Sequence, residues 1–185
     1  MGDRVDDQVE WLAQHALRGE VWDKALAYGR QAGDKAHVRS AYREAVVCYE
    51  QALVALEYLS DGHAATAQAI DLRLGLHRSL NPLAEVPERM LDHLRHTETL
   101  AETLGDQLRL GWVYTGMCTT FWVMGAVDRA IDYGQRALAL AIMLGHGGLQ
   151  ARAYGSLGQA YYDAGDYPDS PELRGGGHPC SVKAA

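Results

Sequence analysis

The 185 residues include 17 Lys and Arg against 24 Asp and Glu, a formal charge of −7, with 48% hydrophobic and 22% charged residues. That length and apolar content suffice for one domain with a continuous core. The acidic balance, with no cluster of Lys and Arg against it, excludes nucleic acid as an expected direct partner, because phosphates demand basic patches. The longest apolar stretches, such as residues 137–144, are far shorter than the roughly 20 residues of a membrane-spanning helix. The first ten residues are acidic, where a signal peptide would be basic and then apolar. Cys48, Cys118 and Cys180 form no CxxC and are too few for a disulfide framework. A cytoplasmic location with no membrane partner is the expectation.

Apolar residues recur at helical spacing almost throughout, and nothing alternates long enough to be a strand. The expected fold class is therefore all-α. In chain order the pattern predicts helices at about residues 6–18, 21–37, 40–58, 65–80, 88–104, 107–124, 127–144 and 149–164. The breaks fall at Gly19, Gly62, Asn81-Pro82, Pro87, Gly105, Gly125, Gly145 and Gly165. Glycine can end a helix in a left-handed conformation there, and proline cannot continue one.

The chain also repeats itself at a spacing of forty residues. Arg89 pairs with Arg129, Asp92 with Asp132, Leu100-Ala101 with Leu140-Ala141, Leu104-Gly105 with Leu144-Gly145, Tyr114 with Tyr154 and Gly125 with Gly165. Such a period marks an array of stacked helical hairpins, none of which buries its apolar face alone. Within the unit from Gly111, Cys118 is the small residue where two helices touch, Phe121 the aromatic one turn later and Gly125 the turn glycine. Small residues return at Ala130 and Ala137. The next unit offers Tyr154, Leu157, Gly158, Tyr161, Gly165 and Tyr167, and near the start Ala45, Tyr49 and Ala52 give a second-helix half. This is the spacing of a tetratricopeptide repeat, so the expectation sharpens to a TPR-like α-solenoid of antiparallel hairpins. Forty residues in place of the usual 34 adds about 9 Å of helix at about 1.5 Å per residue.

The same register predicts a concave, partner-binding groove carrying Trp112, Thr115, Thr119 and Trp122 from one unit and Arg152, Gln159, Tyr162 and Asp163 from the next. Two tryptophans, a tyrosine and one charge of each sign suit a protein or peptide partner with an apolar anchor. Packing of Trp112 and Trp122 against a neighbouring hairpin is the competing assignment, and Trp11 and Trp22 are expected in the core.

Motifs for catalysis are scarce. There is no GxxxxGK[ST] loop and no GxGxxG; the glycine runs are Gly147-Gly148 in a turn and residues 175–177 in the tail. His93 and His96 lie one helical turn apart, but a metal needs three or four ligands and no HExxH or Cys/His spacing accompanies them. Cys48 and Cys118 occupy apolar helical positions and are expected to pack, not react. Asp6-Asp7 and Glu98 with Glu102 suit solvated faces or helix-start charges better than an acid/base pair. No catalytic residue, cofactor or metal is assigned.

The run VEWLAQHALRGEVWDKALAYGRQAGDKAHVRSAYREAVVCYEQAL, followed by AIDLRLGLHRSLNPL and ETLAETLGD, resembles the C-terminal tetratricopeptide region of bacterial signalling proteins. Those proteins carry a class III adenylate/guanylate cyclase domain, then an AAA-type ATPase module, then this helical tail. The resemblance covers residues 5–167 and includes none of the family's catalytic or nucleotide-binding residues. It implies a regulatory or partner-binding tail whose partners are the cyclase and ATPase domains of a parent protein. The domain plan that follows is a helical connector from an ATPase module over residues 1–33, TPR-like repeats over 34–167 and a disordered tail over 168–185. The family pattern calls for a further helix where this chain has Pro168, Pro171 and a triple glycine, which cannot build one. The chain is therefore expected to be a truncated piece, with Tyr154, Leu157 and Tyr161 partly uncovered at an open C-terminal edge that could pair with a second copy.

Overall fold

The structure, a computed structural model, describes residues 8–59, 62–83 and 87–165. These form eight helices: α1 (Val9–Arg18), α2 (Trp22–Val38), α3 (Tyr42–Glu57), α4 (His63–Leu80), α5 (Pro87–Leu104), α6 (Gln107–Val123), α7 (Val127–Met143) and α8 (Gly147–Ala164). A short 3-10 turn, Asn81–Leu83, follows α4. No strand occurs among the described residues, so the fold is all-α. The other helix boundaries agree with the apolar periodicity to within about two residues; the start expected for α1 at residue 6 lies outside the described residues. Tyr167 and the tail from residue 168 lie outside the described residues. The boundary expected between residues 33 and 34 lies inside α2, which continues unbroken through Gly33.

Each helix packs on the next in sequence and, at several points, on the next but one: α1 on α3, and, along the chain, α2 on α4, α4 on α6 and α6 on α8. The even-numbered helices thus form an inner row, with α3, α5 and α7 outside it. Small residues decide where these helices touch. Ala45 and Ala52 of α3, and Ala130, Ala137 and Ala141 of α7, are completely buried, and a small side chain at a crossing lets two axes approach to about 8–10 Å. Between the crossings sit large knobs. Leu91, Leu94, Val113, Met117, Cys118 and Phe121 form one cluster with Ala130 and Ala160; Tyr49 with Leu56, Leu72 and Leu76 forms another. The central helix α6 is buried on most of its circumference, including Tyr114, Thr115, Gly116 and Thr120.

Tyr49 fixes the geometry of the first half. Its ring is 1% exposed and lies between Gly33 of α2 and Gly75 of α4. A Cβ on Gly33 would stand 2.8 Å from the ring, and one on Gly75 2.7 Å from it. The hydroxyl donates to Asp34 at 2.7 Å. Burial, then the Asp34 hydrogen bond, pushes the phenol well above its ordinary range, so it stays a donor.

The turns obey a stricter rule than periodicity alone implies. Gly105, Gly125, Gly145 and Gly165 have φ of 69°, 73°, 62° and 72°, the left-handed conformation expected of a residue closing a helix. In the first two turns, however, Glu20 (φ 54°) and Ser40 (φ 61°) take that position. Gly19, expected to be the left-handed terminator, has φ −86°. Asp106 accepts from the Arg109 amide at 2.9 Å and caps α6, and His146 Nδ1 accepts from the Leu149 amide at 3.0 Å at the start of α8.

Two expectations about burial are corrected. Trp11 is 57% exposed, lying against His15 on α1 and not in the core, because α1 presents Val9, Ala13 and Ala16 inward instead. Leu157, expected to be partly uncovered, is buried because Gly134 of α7 leaves room for it. Tyr154 and Tyr161 are half-buried, and Tyr161 accepts from Gln135 at 2.8 Å. Trp22 is half-buried and stacks on Tyr58 at 4.0 Å.

Gly75→Ala tests the Tyr49 wedge. Overpacking typically costs about 1–3 kcal/mol, against about 1 kcal/mol gained in helix propensity, and the pinned ring cannot step aside. A thermal melt followed by circular dichroism should fall by about 2–4 °C. Gly155→Ala, where a Cβ meets nothing within 4 Å, should leave the melt unchanged or raise it.

Candidate functional site

The inner row of helices lines a half-open cavity of about 650 Å³, whose wall is completed by Tyr42 and Tyr49 of α3 and by Asn81 and Pro82 after α4. Two rows of side chains cross it. Arg30, Asp71, Trp112 and Arg152 come from α2, α4, α6 and α8, each forty or forty-one positions from the next. The second row is His37, Arg78 and Thr119, at the same spacing. The repeat legible between Arg89 and Gly165 therefore extends, in the inner helices, back to α2.

A polar layer lies beneath these rows. His77, 7% exposed, shares a 3.1 Å hydrogen bond between Nε2 and Thr120 Oγ1. Burial, then the nearby Arg152, His93 and Arg78, pushes its pKa down to about 4, so it is a neutral imidazole at physiological pH. His37 Nδ1 is 3.0 Å from Ser79 Oγ, and that hydroxyl donates to the Gly75 carbonyl at 3.0 Å. Since a carbonyl only accepts, the serine proton goes there and His37 Nδ1–H donates to Ser79. Burial and then Arg78 lower the pKa of His37 as well. Thr115 Oγ1 donates to the Trp112 carbonyl at 2.8 Å, and Thr119 Oγ1 to the Thr115 carbonyl at 3.0 Å.

The charges are unequally satisfied. Arg109 clamps Asp71 with two bonds of 2.9 Å and holds Asp106 at 2.5 Å with its remaining nitrogen. This ties α4 to the start of α6. Hydrogen bonding to Asp71 foremost keeps the guanidinium firmly charged. Desolvation alone would raise the Asp106 carboxyl, but the Arg109 amide and guanidinium outweigh it and hold it below the usual range. Arg30 stands 3.9 Å from Asp71 and Arg78 4.0 Å from Asp34, both at the outer limit of an ion pair. Arg152 reaches the Thr119 hydroxyl at 3.5 Å.

Of the eight groove residues expected from sequence, Trp112, Thr115, Thr119 and Arg152 line the cavity. Thr115 is 3% exposed and forms part of its floor. Trp122, Gln159, Tyr162 and Asp163 lie outside it. Trp122 packs on the cluster around Met117 and Phe121, and its indole N–H donates to Asp163 at 2.5 Å. That bond occupies the acid expected to face a partner. Gln159 and Tyr162 are exposed near the end of α8. The forty-residue register missed Arg30, Asp34, His37, Tyr42, Asp71, His77 and Arg78, although stepping back by forty-one from Trp112 and Thr119 reaches four of them.

Cys118 is completely buried beside Gly134, and Cys48 is half-buried. Burial raises both thiols. Among the described residues no group of three or more His, Cys, Asp or Glu is placed to hold a metal ion, and no helix is long and apolar enough to cross a membrane.

No protein-family model matches the chain, and no curated protein does. Among solved structures, it is similar to the crystal structure of BtubC (BKLC) from P. vanneervenii, with a TM-score of 0.52, 18% identity, and coverage of 99% of this chain and 96% of that one. At that identity the likeness is one of fold.

The buried imidazole gives the protein a pH signature. Between about 6.5, the unfolded value for histidine, and about 4, the unfolded chain binds a proton that folded His77 refuses. Its stabilisation is therefore present above that window and lost as pH falls through it, by at most about 1.4 kcal/mol per pH unit. Chemical denaturation of His77→Gln, which can keep a bond to Thr120, should show a shallower loss of stability over this range than the parent chain. An unchanged slope would remove His77 from the account.

Proposed function

We propose that this protein is a non-catalytic interaction scaffold that holds an extended segment of a partner protein in the cavity across α2, α4, α6 and α8. The observation that carries this reading is the pair of rows, in which successive inner helices offer one side chain each to the same trough. A chain lying across the helices would meet a new side chain at every step, the arrangement that favours an extended peptide over a compact ligand. Tyr42 and Trp112 supply flat apolar surface, the residue type that most often anchors such contacts. Small residues at the crossings and aromatic knobs one turn later support tetratricopeptide-type hairpins as the unit of the array.

The parent context is a second part of the reading. The phrases HALRGEVWDKA and ETLAETLGD support a regulatory tail of a cyclase/ATPase signalling protein whose catalytic domains are not in this chain. On that reading the purified chain turns over neither ATP nor GTP, and adding it to the cyclase and ATPase domains of a parent alters their rate. Turnover by the chain alone would overthrow it.

Trp112 is the cleaner probe of the groove, because Trp122 also holds Asp163 and packs on the core. With a peptide selected from a randomised library, Trp112→Ala should weaken binding by about tenfold or more, the effect of a hot-spot residue, while the helical circular dichroism stays unchanged. Undiminished affinity would count against the groove.

A further inference from the structure

We infer that the segment this groove takes is acidic, a stretch of partner polypeptide whose carboxylates seat on Arg30, Arg78 and Arg152. The inference rests on the groove reading above and adds the chemistry of the occupant.

Three guanidiniums from three different helices face one cavity, against the carboxylates of Asp34 and Asp71. Both carboxylates are already engaged. Asp71 accepts a two-bond fork from Arg109, which does not line the cavity, and leaves Arg30 at 3.9 Å. Asp34 accepts the Tyr49 hydroxyl at 2.7 Å and leaves Arg78 at 4.0 Å. Arg152 has no carboxylate within 4.0 Å among the described residues; its guanidinium approaches the Thr119 hydroxyl at 3.5 Å. A guanidinium fork meets a carboxylate with two bonds of about 2.7–2.9 Å, so all three keep donors for an incoming acid. Burial foremost lowers the pKa of both imidazoles in the lining, so the cationic character of the cavity rests on its arginines.

The lining is cationic by one charge in a chain whose formal charge is −7. Such an inversion steers an acidic segment to this face and away from the rest of the surface. The spread of the arginines favours a polypeptide over a free anion. Arg30 and Arg152 belong to the first and last of four inner helices, and at about 8–10 Å per step the row covers roughly 25 Å. An extended segment of about eight residues spans that distance at about 3.3 Å each. A single small anion would engage one end of it.

The test is selection of a randomised peptide library displayed on phage against the full chain, followed by titration of the recovered peptides. Recovered sequences should be rich in Asp and Glu, and their affinity should fall as salt rises. Arg152→Glu and, separately, Arg30→Glu should each weaken them about tenfold with unchanged helical circular dichroism, since both side chains are exposed. Replacing one peptide acid by Lys should restore part of the loss to the Glu variants. Neutral or basic peptides that bind and are weakened by Trp112→Ala would overturn the acidic occupant and leave the groove standing. Failure to recover any peptide, or peptides indifferent to Trp112→Ala, would overturn the groove and the inference together. Glutarate stabilising the chain as strongly as the best peptide would also overturn it, in favour of a small-molecule acid.

Discussion

Close approach of helix backbones at glycine and alanine is the constraint on which everything else in this molecule depends. Where α2 and α4 flank α3, the two glycines at Gly33 and Gly75 leave a slot just wide enough for the Tyr49 ring. Where α6, α7 and α8 meet, Gly111 receives Leu149 and Gly134 receives Leu157. The knob comes from an outer helix at Tyr49, and from an inner helix at Leu149 and Leu157. Because interiors are packed to near-crystalline density, these slots set how far apart the inner helices stand, and hence the width of the cavity they line.

The polar layer under the cavity follows from that spacing. Helices this close cannot leave a hydroxyl or imidazole buried without a partner, since an unmet polar group costs about 1–3 kcal/mol. His77 with Thr120, and His37 with Ser79 and the Gly75 carbonyl, are pairs between neighbouring inner helices. They hold the inner row in register as specifically as the apolar knobs hold the outer one. Arg109 does the same at the edge, bridging Asp71 of α4 and the capping Asp106 of α6. Arg30 and Arg78 face the trough with their nearest carboxylates already engaged, and Arg152 faces it with no carboxylate within 4.0 Å among the described residues.

Much of this was legible from residue order. The helical period, the glycine punctuation from Gly105 to Gly165 and the small residues at Ala45, Ala52, Ala130 and Ala137 all act through local sterics. The groove was half legible. Trp112, Thr119 and Arg152 followed from a repeat strong enough to align, whereas Arg30 and Asp71 occupy the same row with no likeness in residue type. Only their spacing relates them. Trp11 is exposed where the core was expected, and Trp122 makes the packing contacts that were its competing assignment: a tryptophan satisfies either a surface or a core role, and the neighbour that decides is remote in sequence.

The sequence by itself determined that the chain is all-helical, where its helices begin and end, and which residues are small enough to let them touch, because each depends on contacts within about one turn or one repeat. The tertiary structure alone decided that Arg30, Asp71 and Arg78 join Trp112 and Arg152 in the cavity, which arginines are already answered by aspartates, and that His77 is buried neutral between Thr120 and the charges around it. Those properties depend on distances between residues some forty positions apart, and only the packing of one helix on the next but one sets them.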